Sequence, residues 1–116
     1  MELLAASVST AESDGGPYTL VELSGEADVT NCETLREVLD AEVARAPRTL
    51  VIDMERLRFM DSSALHVILQ ATRALDRQGG VLALARPTEM VARMLHLTAT
   101  DQLIPVYPTV HEAVAG

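Results

Sequence analysis

Apolar positions in this chain recur with two different periods, and the changes between them divide it into elements. Leu3 to Val8 reads as a short first strand. Ser13-Asp14-Gly15-Gly16-Pro17 is a turn cluster, and Tyr18 to Leu23 follows as a second strand, hairpin-paired with the first. Ser24-Gly25-Glu26-Ala27-Asp28 reads as a loop. Thr30 with Glu33 three residues later predicts a capping box. Leu35, Val38, Leu39 and Val43 then supply a helical stripe that ends at Pro47. Leu50 to Met54 is nearly continuous in apolar residues, the signature of a strand covered on both faces. Phe59 and Met60 fall in what reads as a surface loop.

From Ser62 to Gln78 the spacing predicts an amphipathic helix that buries Leu65, Ile68, Leu69, Thr72 and Leu75. Arg73, Asp76 and Arg77 face water, and Gly79-Gly80 terminates the helix. Val81 to Ala85 is another buried strand. Thr88, after Pro87, caps a short helix with Met90, Val91, Met94 and Leu95 on one side. Leu103-Ile104-Pro105-Val106 reads as a last strand at a sheet edge, because Pro105 has no N–H to donate. Thr109 and Glu112 form a second capping box for a terminal helix through Val114. The order ββαβαβαβα predicts an α/β domain spanning residues 1–116. Its mixed sheet would have four to five strands, packed by about four helices.

Composition sharpens this picture. The 116 residues are 48% apolar but only 3% aromatic, with no Trp, so the core is aliphatic. The formal charge of −8 argues against nucleic acid or an anionic membrane surface as the ligand, since both need a Lys/Arg face. A protein partner, including a basic one, is compatible with it. Cys32 is the single cysteine, which excludes an internal disulfide and fits a reducing cytoplasm. No apolar run reaches the roughly 18 residues of a membrane span. The first residues, Met1-Glu2-Leu3-Leu4, lack the basic start of a signal peptide, so a cytoplasmic location is expected.

The chemistry the chain could carry is limited. Nucleophilic serine catalysis needs a base in reach. His66 stands one helical turn after Ser62, but no Gly-x-Ser-x-Gly elbow is present. Metal ligands are not clustered, and neither glycine-rich nucleotide motif occurs, so no metal or cofactor is expected. Asp61-Ser62-Ser63 stands out because it opens a helix. Its plain reading is an N-cap by Asp61 or Ser62. A second reading is a modified serine, since free N–H groups and a partial positive charge favour a phosphate there.

Four segments together resemble the stand-alone STAS (sulphate transporter and anti-sigma antagonist) domains of bacteria, the anti-sigma-factor antagonists. Leu23-Ser24-Gly25-Glu26-Ala27-Asp28 is similar to the family's Gly-Glu-apolar-Asp loop, and Leu50 to Met54 to its central strand. Leu57 to Leu65 is similar to its phosphorylation signature, and Gly79-Gly80 with Val81 to Ala85 to its next strand. The resemblance implies that the protein is not an enzyme, that Ser62 is the phosphorylated residue, and that Ser63 is its neighbour. Asp28, Phe59, Met60, Asp61, Ser63 and Ala64 are then expected at the partner surface; Ala64 departs from the Gly of many members. The implied partners are an anti-sigma factor with serine kinase activity and a serine phosphatase. The alternative is a non-switching scaffold subunit of a membrane transport system. A small hydrolase using Ser62 is a further rival. The oligomeric state, monomer or weak dimer, is left open.

Overall fold

In the computed structural model, which describes residues 3–116, the hydrophobic periods become five strands and four α-helices. The strands are β1 (Ala5–Ser13), β2 (Gly16–Ala27), β3 (Thr49–Met60), β4 (Val81–Ala85) and β5 (Val106–Tyr107). The helices are α1 (Cys32–Ala44), α2 (Ser62–Arg77), α3 (Glu89–Leu97) and α4 (Val110–Ala115), and a short 3₁₀ turn covers Thr100–Gln102. They follow the expected order ββαβαβαβα. The sheet runs β1-β2-β3-β4-β5, antiparallel between the first two strands and parallel thereafter.

The two sheet faces are covered unequally. On one, Val21, Leu23, Ile52, Met54, Leu82 and Leu84 form the main core with apolar residues of α1, α2 and α3. On the other, Val51, Ala83 and Ala85 pack with Ala113 of the short helix α4. β3 and β4, sandwiched at their centre, are therefore apolar on both faces. Helix α2 ends as its glycines require. Gly79 takes φ +84°, and the N–H groups of Gly79 and Gly80 bond the carbonyls of Asp76 and Leu75 at 3.0 Å each. Thr88 caps α3 and Thr109 caps α4, each accepting from the N–H three residues on.

Several local expectations are corrected. β2 continues through Ser24-Gly25-Glu26-Ala27, which had read as a loop, and β3 runs to Met60 instead of ending at Met54. Two bulges in β3 explain its unread end: the β2–β3 register shifts between Glu22 and Ser24 and again between Gly25 and Glu26, with the extra residue in β3 each time. Each slip interrupts the period-two pattern of β3, whereas β2 keeps its alternation but places Ser24, Gly25, Glu26 and Ala27 on it, residues that read as a loop. Gly25 sits at the second slip with φ +92°, and a Cβ there would lie 2.2 Å from the Leu3 carbonyl oxygen. The Thr30–Glu33 capping box does not form. Asn31 occupies the N-cap of α1, and the Thr30 hydroxyl bonds Asp28 instead. Leu103 and Ile104 lie outside any strand; β5 begins only at Val106.

Candidate functional site

The parallel strands β2 and β3 end side by side, so the turns that follow them meet. One is the loop 28–31 that leads into α1, and the other is Asp61 at the start of α2. Asp61 joins the two. Its extended backbone (φ −100°, ψ −179°) lets Oδ1 accept from the Ala64 N–H of its own helix at 3.1 Å. Oδ2 accepts from the Val29 N–H across the gap at 3.0 Å. The Asp61 N–H in turn donates to the Ala27 carbonyl at 3.0 Å. The cap that starts α2 therefore also holds the neighbouring loop.

Loop 28–31 is further fixed from within. Asn31 accepts from the Asp28 N–H through Oδ1 and donates to the Glu26 carbonyl through Nδ2, both at 2.9 Å. The Asp28 carboxylate accepts from the Thr30 N–H at 2.9 Å and from the Thr30 hydroxyl. These Asx-type bonds explain why Thr30 is unavailable as a helix cap.

On this frame Ser62 is the first residue of α2 and is exposed, and Ser63 behind it is half-buried. Among the described residues the Ser62 hydroxyl has no hydrogen-bond partner; His66, also exposed, does not bond it. The nucleophile–base contact that serine catalysis requires is thus not made. Near the start of α2, Val29, 68% exposed, is tied to Asp61 through its N–H, and Phe59, 40% exposed, lies on β3 three residues before Ser62. Asp28 and Asp61 are half-buried.

Two of the residues expected at the partner surface are inside. Met60 is 3% exposed and Ala64 is fully buried, both within the main core. Met60 points inward because β3 continues to that residue, and Ala64 because it faces the sheet from the first turn of α2. Ala is small enough to fill that place and favours helix. Val29 and Asn31 escaped the sequence reading. Their signal was the string Asp28-Val29-Thr30-Asn31, in which three side chains able to bond backbone surround one exposed valine.

A second polar cluster lies on the sheet face that carries α4. The buried Asp53 carboxylate takes a bidentate contact from Arg86, at 3.1 Å from Nε and 2.5 Å from Nη2, and Glu55 pairs with the remaining nitrogen. The Asp53 hydrogen bond raises the Arg86 pKa above its ordinary value, with Glu55 and Glu22 adding to it. The adjoining cavity of about 290 Å³ includes Glu22, Ser24 and Arg56 in its wall. Its innermost charges already satisfy one another, so the cluster reads as a clamp between β3 and the end of β4. Among the described residues no three His, Cys, Asp or Glu side chains could hold one metal ion. Nor is any described helix long and apolar enough to cross a membrane.

Comparison with known proteins places this geometry. The model of the STAS domain matches residues 8–113. A relative from Paenibacillus polymyxa, an anti-sigma F factor antagonist, is 32% identical over 76% of this chain and 76% of its own. Among solved structures, an anti-sigma factor antagonist from Mycobacterium paratuberculosis superposes with a TM-score of 0.81 at 28% identity. That match covers 96% of this chain and 92% of that one. The unphosphorylated anti-sigma factor antagonist SpoIIAA shares the fold with a TM-score of 0.77 at 24% identity, over 95% of this chain and 93% of its own.

Proposed function

The chain belongs to the STAS domain family, and we propose that it is a cytoplasmic anti-sigma factor antagonist switched by phosphorylation of Ser62. Unmodified, it binds an anti-sigma factor and so frees a sigma factor. That partner, acting as a serine kinase, phosphorylates Ser62 and is thereby released, and a serine phosphatase resets the cycle. The observation that carries this reading is the exposed, unpartnered Ser62 hydroxyl at the first position of α2, on a helix start that Asp61 ties to the loop carrying the exposed Val29. The similarity to named antagonists supports the class of partner.

The physical basis is an asymmetry between fold and interface. A phosphate brings about −1.5 to −2 charges. Inside the protein it meets the positive end of α2 and open water, which tolerate it. In a complex the same charge must be desolvated, beside Asp28 and Asp61, against a surface shaped for a small neutral hydroxyl. By comparison with buried charge pairs left unmatched, the loss is about 3–5 kcal/mol, or more than two decades of affinity.

The test is incubation with ATP and candidate anti-sigma kinases, followed by phosphosite mapping by mass spectrometry. Ser62→Ala is expected to take no label and to bind its partner constitutively, while Ser62→Asp binds weakly. Label on Ser63 in the Ser62→Ala variant would overturn the assignment. Recovery of transporter subunits and no kinase would favour the scaffold alternative.

A further inference from the structure

The two edges of the sheet are not alike. β5 ends one side with only two residues. β1 ends the other with nine, paired to β2 without a bulge from Ala5–Ser24 to Ser13–Gly16. Residues 5–10 of β1 are all exposed. Natural edge strands are normally protected by lysines, prolines, bulges or a covering segment. This one has none of the sequence protections: residues 3–11 read Leu-Leu-Ala-Ala-Ser-Val-Ser-Thr-Ala, without an ionisable side chain or a proline. A chain of net charge −8 thus leaves its longest open backbone edge neutral.

The outward groups can be counted from the hairpin. Ser13 and Gly16 flank the two-residue turn Asp14-Gly15 and form its closing hydrogen-bonded pair. The N–H and C=O groups of Ala11, Ser9, Ser7 and Ala5 then point to β2. Those of Glu12, Thr10, Val8 and Ala6 point away from the sheet. Pro17, opposite Glu12, fits this phase, since its missing N–H falls on a position that does not bond β1.

We propose that β1 is a homodimer interface, in which a second copy of this chain pairs antiparallel across a twofold axis at Val8 and continues the sheet. The strand is self-complementary in that register. Val8 meets its own copy as a hydrogen-bonded pair, Ala6 meets Thr10, Ser7 meets Ser9 and Ala5 meets Ala11. Glu12, the nearest charge, falls opposite Leu4, so no like charges face each other between positions 4 and 12. Val8 lies opposite the buried Val21, and this residue, 40% exposed, gains a cover from its copy. A second copy is the occupant the strand fits best because an antiparallel twofold uses the same outward groups on both sides.

Sedimentation from micromolar to millimolar protein is expected to show a concentration-dependent dimer. Val8→Pro removes an outward N–H without touching the β1–β2 ladder, and Val8→Lys sets two charges across the axis. Each should weaken the dimer at least about tenfold while the circular-dichroism melt stays within a few degrees. Val8→Lys alone decides the matter if the proline variant does not fold. For the register, Val8→Cys in a Cys32→Ser background should form a disulfide-linked dimer on mild oxidation, since hydrogen-bonded antiparallel pairs bring Cα atoms to about 5.5 Å. A monomer at every concentration overturns the proposal and leaves the edge to a strand of another protein. A dimer insensitive to both Val8 substitutions, or one that does not cross-link, overturns it as well.

Discussion

Asp61 divides its two carboxylate oxygens between Ala64 of its own helix and Val29 of the loop before α1. The division makes two separable contributions. Asp61→Ala removes both and is expected to cost about 1–2 kcal/mol, measured by urea unfolding. Asp61→Asn is milder, because asparagine caps helices nearly as well with its one oxygen. Its amide nitrogen cannot accept from Val29, however, so the loop is released while the helix start survives. Hydrogen exchange at the Val29 amide should accelerate in both variants, and only the alanine variant should also expose the first turn of α2. Equal protection of Val29 in wild type and Asp61→Asn would show that the loop does not depend on the bond. Ser62 behaves oppositely. Its side chain makes no hydrogen bond among the described residues, so Ser62→Ala should leave stability within about 0.5 kcal/mol. That makes it a clean variant for binding measurements.

At the scale of elements, the close passage of the N-terminal segment over β2 depends on Gly25. A Cβ there would stand 2.2 Å from a backbone oxygen, at a φ of +92° that other residues rarely adopt. Gly25→Ala is therefore expected to cost at least about 2 kcal/mol in urea unfolding. Gly79→Ala is the contrast, since Gly79 has a similar φ of +84° but nothing within 4 Å of the added methyl. Its cost should stay near about 1 kcal/mol. Similar costs at the two positions would mean that backbone angle, and not the clash with Leu3, governs Gly25. The same stretch shows where sequence patterns stop being informative. Elements with an unbroken period, such as α2 with Leu65, Ile68 and Leu75, were legible with nearly correct ends. β3 beyond Met54 was not, because the bulges opposite Ser24 and Glu26 place Leu57 and Met60 inward at a spacing of three. Phe59 and Met60 both read as surface-loop residues, but they are neighbours on a strand and so face opposite ways, which leaves Phe59 exposed and buries Met60. The start of α1 misled for a different reason: Thr30 and Glu33 have capping-box spacing, yet the Asp28 carboxylate takes both the Thr30 N–H and the Thr30 hydroxyl that the box would use. At the helix start, Asp61 as the cap and Ser62 as the opening residue of α2 were legible from the tripeptide. Val29 was not, because it arrives through the parallel pairing of β2 with β3, a contact between positions 32 apart in the chain.

For the whole molecule, the question is whether the proposed phosphate, added to a chain already at −8, acts on the fold or only on binding. Two effects oppose each other at Ser62. The amino end of α2 stabilises an anion by about 0.3–1 kcal/mol at an exposed position. Asp61 and Asp28 nearby, and the chain's overall negative charge, repel it by a comparable amount that salt screens over about 10 Å. Neither effect is large, because Ser62 is exposed and its hydroxyl gives up no existing bond on modification. A change of 1 kcal/mol moves the midpoint of a domain this size by about 4–8 °C. Phosphorylated and unmodified protein should therefore melt within about 5 °C of each other. The difference should shrink further in high salt. Binding has no such cancellation: once the partner covers Ser62, water and salt no longer screen the phosphate, and Asp61 remains held in place by its two hydrogen bonds. The expected result is a loss of more than two decades in affinity with almost unchanged calorimetry of the free protein. A midpoint lower by 10 °C or more on phosphorylation would mean that the modification breaks the Asp61 tether and works by loosening the fold.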